Sequence, residues 1–166
     1  MATAPIPDPT ERVMMAANEI LRLLETVPML AEMATRERAA LAEVAEVVRC
    51  ARDVQLFGVG QEVRWWYLVL NGQVQECVRA PDGSWQPVRE VAAGNCFGLD
   101  AVLSNSPAAT QATTLSASSF VRVNAGALQN LLRGSGAASV KLTVALNESL
   151  GQDLRAATIT LAELVG

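Results

Sequence analysis

Histidine is missing from this chain of 166 residues, and lysine occurs once, as Lys141. Without histidine the commonest general base and metal ligand is gone, leaving Asp, Glu, Cys and hydroxyls for any chemistry. Cysteine is sparse too: Cys50, Cys77 and Cys96 lie far apart with no Cys-x-x-Cys pair. That spacing excludes a disulfide framework and a zinc site, and the three read as small buried residues in a reducing compartment. No apolar run is long enough to cross a bilayer, so no membrane association is expected. The N-terminus, Met1 to Pro9, has neither a basic nor an apolar stretch of the kind that directs secretion, so a cytoplasmic location is expected. The 13 basic residues are outnumbered by 17 acidic ones, a net charge of -4 that opposes phosphate neutralisation and argues against a nucleic-acid partner. No nucleophile and base can be paired, so the expectation is no enzyme, no catalytic residue, no metal and no cofactor.

What is present is a chain 51% hydrophobic and 18% charged, enough to bury one core. Residues 1–9 read as a flexible tail and residues 10–166 as a single domain. Thr10 is placed to cap a helix carrying Val13, Ala16, Ala17, Ile20, Leu21 and Leu24 at helical spacing, ended by Pro28. Thr35 opens a second helix, with Leu41, Val44, Ala45 and Val48 inward, so two helices span 10–48 before any strand.

From 49 to 123 the pattern becomes short β-rich segments between turns at Phe57-Gly58-Val59-Gly60, Asn71-Gly72, Pro81-Asp82-Gly83 and Ala93-Gly94-Asn95. Asp82-Gly83 is a hairpin signal joining Gln73–Ala80 to Ser84–Val91. Leu115 to Val123 alternates as a half-buried strand. Asn124 caps a short helix broken at Gly134-Ser135-Gly136, and a long helix follows from about Ala137 to Leu164. Leu150, Leu154, Ala157, Leu161 and Leu164 recur along it at coiled-coil steps.

Helices, an all-β middle and helices again, with glycine turns at these separations, resemble the cyclic-nucleotide-binding domain of the catabolite activator protein family and of cAMP-dependent kinase regulatory subunits. The likeness runs from about Leu23 to Leu164. It rests on Leu24-Glu25-Thr26-Val27-Pro28-Met29-Leu30, on Phe57-Gly58-Val59-Gly60, on Tyr67-Leu68-Val69-Leu70-Asn71-Gly72-Gln73-Val74, and on Gly94-Asn95-Cys96-Phe97-Gly98-Leu99. The fold it implies is mainly β with flanking helices: an eight-stranded β-roll of the jelly-roll type, with N-terminal helices and a long C-terminal helix in 124–166.

Gly94 to Thr110 corresponds to the family's phosphate-binding cassette. In binding members a glutamate after Phe-Gly holds the ribose hydroxyl and a Pro-Arg-x-Ala corner pairs with the phosphate. Here Leu99 and Pro107-Ala108-Ala109 stand in those places. Losing a desolvated arginine–phosphate pair costs about 2 to 5 kcal/mol, ~30- to several-thousand-fold in affinity. Phe97, Gly98, Leu99, Ala108, Ala109 and Arg89 therefore read as a degenerate ligand pocket. Asp100 is one place late for the ribose role. Arg89 and Arg122 are the cations that a rewired pocket has within reach, although arginine on the solvent face of a strand is ordinary.

Strand parity sends Trp65 and Trp66 to opposite faces, so one of them is expected near the surface as an anchor for a partner. The chain runs to Gly166 without a helix-turn-helix, so no reader of DNA is expected. The composite expectation is a bacterial, non-catalytic interaction or scaffold module that no longer binds cAMP or cGMP. It would bind another protein through Trp65 or Trp66 and pair with its own copy through Leu150, Leu154, Leu161 and Leu164. The alternative is a sensor whose rewired pocket takes a cyclic nucleotide, a cyclic dinucleotide or another small molecule.

Overall fold

The computed structural model describes residues 7–165, with side chains through Arg155 and at Ile159. The N-terminal part comprises β1 (Glu11–Val13), α1 (Ala17–Leu24), a single 3-10 turn (Pro28–Leu30) and α2 (Thr35–Ala42). The β-roll follows as β2 (Ala45–Cys50), β3 (Gln55–Phe57), β4 (Trp65–Asn71), β5 (Gln73–Arg79), β6 (Trp85–Ala92), β7 (Cys96–Phe97), α3 (Leu99–Ser104), β8 (Gln111–Thr114) and β9 (Ser118–Asn124). The chain closes with α4 (Ala125–Arg133) and α5 (Ala137–Val165). The described strands form two antiparallel sheets, ordered β1-β2-β9-β4-β7 and β3-β8-β5-β6.

β4 and β9 are central, and their residues are buried on both faces. One face turns to the second sheet and collects all three phenylalanines and the only tyrosine. Phe97 stacks on Tyr67 at 4.7 Å between ring centroids, meets Phe120 edge-on at 5.7 Å, and lies 6.2 Å from Phe57. Each such pair adds about 0.5–1.5 kcal/mol beyond the area it buries. The opposite face, with Trp66, Leu68, Val121 and Val123 buried, packs under α1, α2 and α4.

Several boundaries differ from the sequence reading, each for a tertiary reason. Thr10 does not cap a helix: the segment pairs as β1, with Arg12 opposite Val48, and α1 begins at Ala17. There the Glu19 carboxylate accepts from the Ala16 N–H at 2.7 Å, supplying the first turn with an acceptor that Ala16 lacks. α2 stops at Ala42, and Ala45 and Val48 belong to a strand whose Val47 and Val48 are buried on opposite faces. A β-branched pair suits a strand covered on both sides better than a helix end. Leu115–Ala117 forms a bend, and β9 is a central strand buried on both faces from Phe120 to Val123 instead of a half-buried one. The described strands number nine where eight were expected, the addition being β1.

Other readings match. Gly83 has φ 86°, and Asp82 Oδ1 accepts from the Ser84 N–H at 2.9 Å, closing the β5–β6 hairpin. Asn124 Oδ1 accepts from the Gly126 N–H at 3.0 Å at the start of α4.

Tyr67 offers a direct test of the packed core. Burial pushes its phenol up to about 12 from 10.0, the nearby Arg122 opposing. The neutral phenol is favoured in the fold, so this contribution is present below pH 10 and is lost as pH rises from 10 towards 12. Tyr67 is the only tyrosine, so absorbance at 295 nm reads it alone. The native protein should titrate near 12. A midpoint near 10 with native circular dichroism would show that the ring stack is open to water.

Candidate functional site

The turn Ala93-Gly94-Asn95 delivers β7 to β4, where Phe97 pairs with Tyr67 and Cys96 with Leu68. Gly98 then takes φ +80° and starts α3. A Cβ at this position would sit 3.0 Å from the Trp65 carbonyl oxygen, so both conformation and space demand glycine. Leu99, 3% exposed, turns into the roll.

Ala108 is buried, and its backbone is stitched to the Phe57–Gly60 turn. Its N–H donates to the Gln61 carbonyl at 2.8 Å, and its carbonyl accepts from the Gly60 N–H at 2.8 Å. The corner that carries an arginine in binding relatives is thus shaped by backbone bonds, with a methyl group as its only side chain. Ala109 is exposed.

A cleft of about 270 Å³ opens between β5, β6, the start of α3 and α5. Arg89, Phe97, Gly98 and Leu99 line it, whereas Ala108 and Ala109 do not. Arg89 is no solvent-facing arginine. Its Nε lies 2.7 Å from Glu76 Oε2, its Nη1 pairs with Asp153 of α5, and its Nη2 donates to the Cys96 carbonyl at 2.8 Å.

Burial works against its charge, yet the carboxylates of Glu76 and Asp153 hold its pKa above the ordinary arginine value. Burial also pushes the Glu76 carboxyl up, with Arg89 opposing and Asp100 and Asp153 reinforcing. Thr110 donates its hydroxyl to Glu76 at 3.3 Å. Two carboxylates, Glu76 and Asp153, therefore pair with one guanidinium, and a third, Asp100, lines the same cleft. An incoming anion meets carboxylates and a cation already paired with two of them, although the buried Arg89 Nε lacks a well-aligned hydrogen bond.

Arg122 plays no part in this cleft. It is 5% exposed on β9 and holds Glu46 at 2.6 Å, Asp8 at 2.8 Å and the Thr10 hydroxyl at 3.0 Å. It also lies 3.9 Å from the centroid of Trp65. This cluster clamps the segment leading into β1 to the sheet and shields Trp65, which is half-buried. Trp66, expected as an alternative partner anchor, is wholly buried because β4 is central and covered on both faces. Leu150 packs against the core, Leu154 is 71% exposed on the rim of the cleft, and the side chains of Leu161 and Leu164 lie outside the described residues.

Glu76 and Asp153 were not singled out from sequence. Glu76 had a signal: on β5 it shares the inward parity of Val74, where a carboxylate needs a counter-charge. Asp153 had none, because nothing local says where α5 crosses the roll.

A β-roll with a cassette turn, a short helix and a long C-terminal helix over a cleft is the architecture of one family of domains. Residues 47–135 match the family model for the cyclic nucleotide-binding domain, and the chain belongs to that family. A comparison with curated protein sequences finds no match.

Among solved structures, a cyclic nucleotide-binding domain from Methylobacillus flagellatus shares 20% identity over 93% of this chain and 89% of its own, with a TM-score of 0.80. The N-terminal domain of a Streptomyces coelicolor transcriptional regulator shares 24% identity over 78% and 93%, with a TM-score of 0.65. The regulatory subunit of a cAMP-independent protein kinase A from Trypanosoma cruzi, bound to guanosine, shares 18% identity with a TM-score of 0.64. That match covers 80% of this chain and half of the other. These likenesses establish the fold. Among the described residues no cluster of His, Cys, Asp and Glu is arranged to hold a metal, and no helix is long and apolar enough to cross a membrane.

The left-handed Gly98 is the constraint that sets Phe97 and Leu99. Gly98→Ala should lower the unfolding free energy by about 1–3 kcal/mol, read as a lower urea midpoint. An unchanged midpoint would mean that the turn relaxes without strain.

Proposed function

We propose that this protein is a non-catalytic interaction module on a cyclic-nucleotide-binding fold whose pocket no longer takes cAMP or cGMP. The observation that carries this reading is the state of Arg89: among the described residues it is the only cation lining the cleft, and it is paired with Glu76, Asp153 and the Cys96 carbonyl. Leu99 and Ala108 at the two anchoring positions support it, since neither offers a charge or a hydrogen bond. Calorimetry should give no heat of binding with cAMP or cGMP up to about 1 mM, the range where ~4 kcal/mol is the limit of detection. A micromolar dissociation constant for either would overturn the reading.

The contact surface is α5. Val140, Val144, Leu154 and Ile159 are each at least half exposed and lie along one side of it. A helix with Gly151 and a Thr158-Ile159-Thr160 stretch has weak intrinsic helicity and gains from packing against a second helix. The partner that this stripe fits is a second copy, meeting helix to helix. Trp65, covered by Arg122, is a secondary contact. Light scattering after size-exclusion chromatography should give a dimer at tens of micromolar, converted to monomer by Val144→Arg. A monomeric wild-type protein would dismiss self-association.

A second reading, an uncharged-ligand sensor, is favoured by the apolar walls of the cleft, Phe97 and Leu99, and by the guanosine bound to the Trypanosoma cruzi structure. Guanosine and adenosine belong in the same calorimetric series. Binding of a nucleoside without its cyclic phosphate would select this reading.

A further inference from the structure

The outer side of the smaller sheet differs in chemistry from the rest of the surface. On β5, Val74 and Glu76 point inward, so Gln73, Gln75, Cys77 and Arg79 share the outer face. The register extends that face sideways: Gln111 stands opposite Cys77, Thr113 and Glu90 flank Gln75, and Trp85 stands opposite Arg79. All of these side chains are exposed or half-buried. They are also ordered in advance of any contact. Gln73 Nε2 donates to Glu90 Oε2 at 2.7 Å, Gln111 Nε2 donates to Thr113 Oγ1 at 3.4 Å, and the Arg79 guanidinium lies 5.6 Å from the centroid of Trp85.

Charge is scarce on this face. In a chain with 13 basic and 17 acidic residues, only Arg79 and Glu90 are charged among the residues that β5, β6 and β8 turn outward. Their signs are opposite, and they lie on opposite sides of the row through Cys77. Glu90 is held by Gln73 and Arg79 by the Trp85 ring, and neither joins an ion pair among the described residues.

We propose that this face docks on the same face of a second copy of the chain, about a two-fold axis that crosses the strands at Cys77. The charges select that axis. Rotation about it exchanges the two ends of each strand, so Arg79 of each copy meets Glu90 of the other, with Trp85 beside each pair. An axis along the strands would set Arg79 against Arg79. The net charge of -4 opposes the approach of a second copy, and this face contributes nothing to that charge. With β5 seven residues long in a sheet of four strands, the patch covers roughly 400 Å² per copy. A stable complex buries about 800 Å² per partner, so this contact is a weak one, filled at concentrations on the order of hundreds of micromolar. Two unlike two-fold contacts on one chain, this one and that of α5, link copies into an array instead of closing at a pair.

The test uses a chain carrying Val144→Arg, which removes the α5 contact, and Cys50→Ser, which leaves Cys77 as the accessible thiol because Cys96 is buried. Facing sheets pack about 10 Å apart, within the span of a short bismaleimide between two Cys77 side chains. At hundreds of micromolar that reagent should join two copies, and Cys77→Ser should abolish the product. Arg79→Glu or Glu90→Arg alone should lower the yield about tenfold, because like charges then face each other, and the two together should restore it. Absence of a Cys77-linked product at that concentration would overturn the proposal, and so would a double variant no better than either single one. Since the α5 contact is removed throughout, the result is independent of whether the unmodified protein dimerises at tens of micromolar.

Discussion

A guanidinium taken out of water must carry its counter-charges with it, and this molecule applies that constraint twice. Arg122 gathers Glu46, Asp8 and Thr10, and Arg89 gathers Glu76 and Asp153. In each case one acid belongs to the roll and another comes from a chain terminus. Arg122 ties the N-terminal segment to the central strand, and Arg89 ties the C-terminal helix to the cleft. The core is filled by aromatic and aliphatic contacts, while the position of the two ends against it is set by charge. Pairs of this kind contribute little net stability, because desolvation offsets their attraction. What they supply is register.

The cleft keeps the backbone of the family's cassette around apolar walls and an internally paired arginine. The backbone features of the cassette remain: Gly98 in its left-handed conformation, the short α3, and the Ala108 amide and carbonyl bonded to the neighbouring turn. These serve packing, and they persist because Phe97 depends on them to reach Tyr67 and Phe120. Within that cassette Leu99 and Ala108 present buried apolar side chains. Glu76, Asp100 and Asp153 line the cleft beside Arg89. Fold and recognition are separable here because one rests on φ angles and ring contacts and the other on a few side-chain ends.

Much of this architecture was legible in the residues. The glycine turns, the Asp82-Gly83 hairpin, the Asn124 cap and the broken connection at Gly134 to Gly136 are local chemistry, and they appear where the residues place them. The misreadings fall where distant strands decide. Thr10 and Glu11 carry a helix-start signature, but β2 is available to pair with them. Val47 and Val48 sit at the end of a helical pattern, but β9 captures them as a strand. The two-faced reading of β4 left open which of Trp65 and Trp66 was accessible, and Trp66 is the buried one because helices cover the second face. Of the cleft, its walls were readable from the cassette, Glu76 from strand parity alone, and Asp153 not at all.

The order of the larger sheet sets when this protein can become itself. β9, residues Ser118–Asn124, lies between β2 and β4, so the sheet lacks its centre until that strand is available. Before β9 joins, β2 and β4 have no strand between them. Pairings this remote in sequence close slowly, since the loop entropy must be spent before any contact returns it. The larger sheet is therefore completed only when its most sequence-distant pairings close.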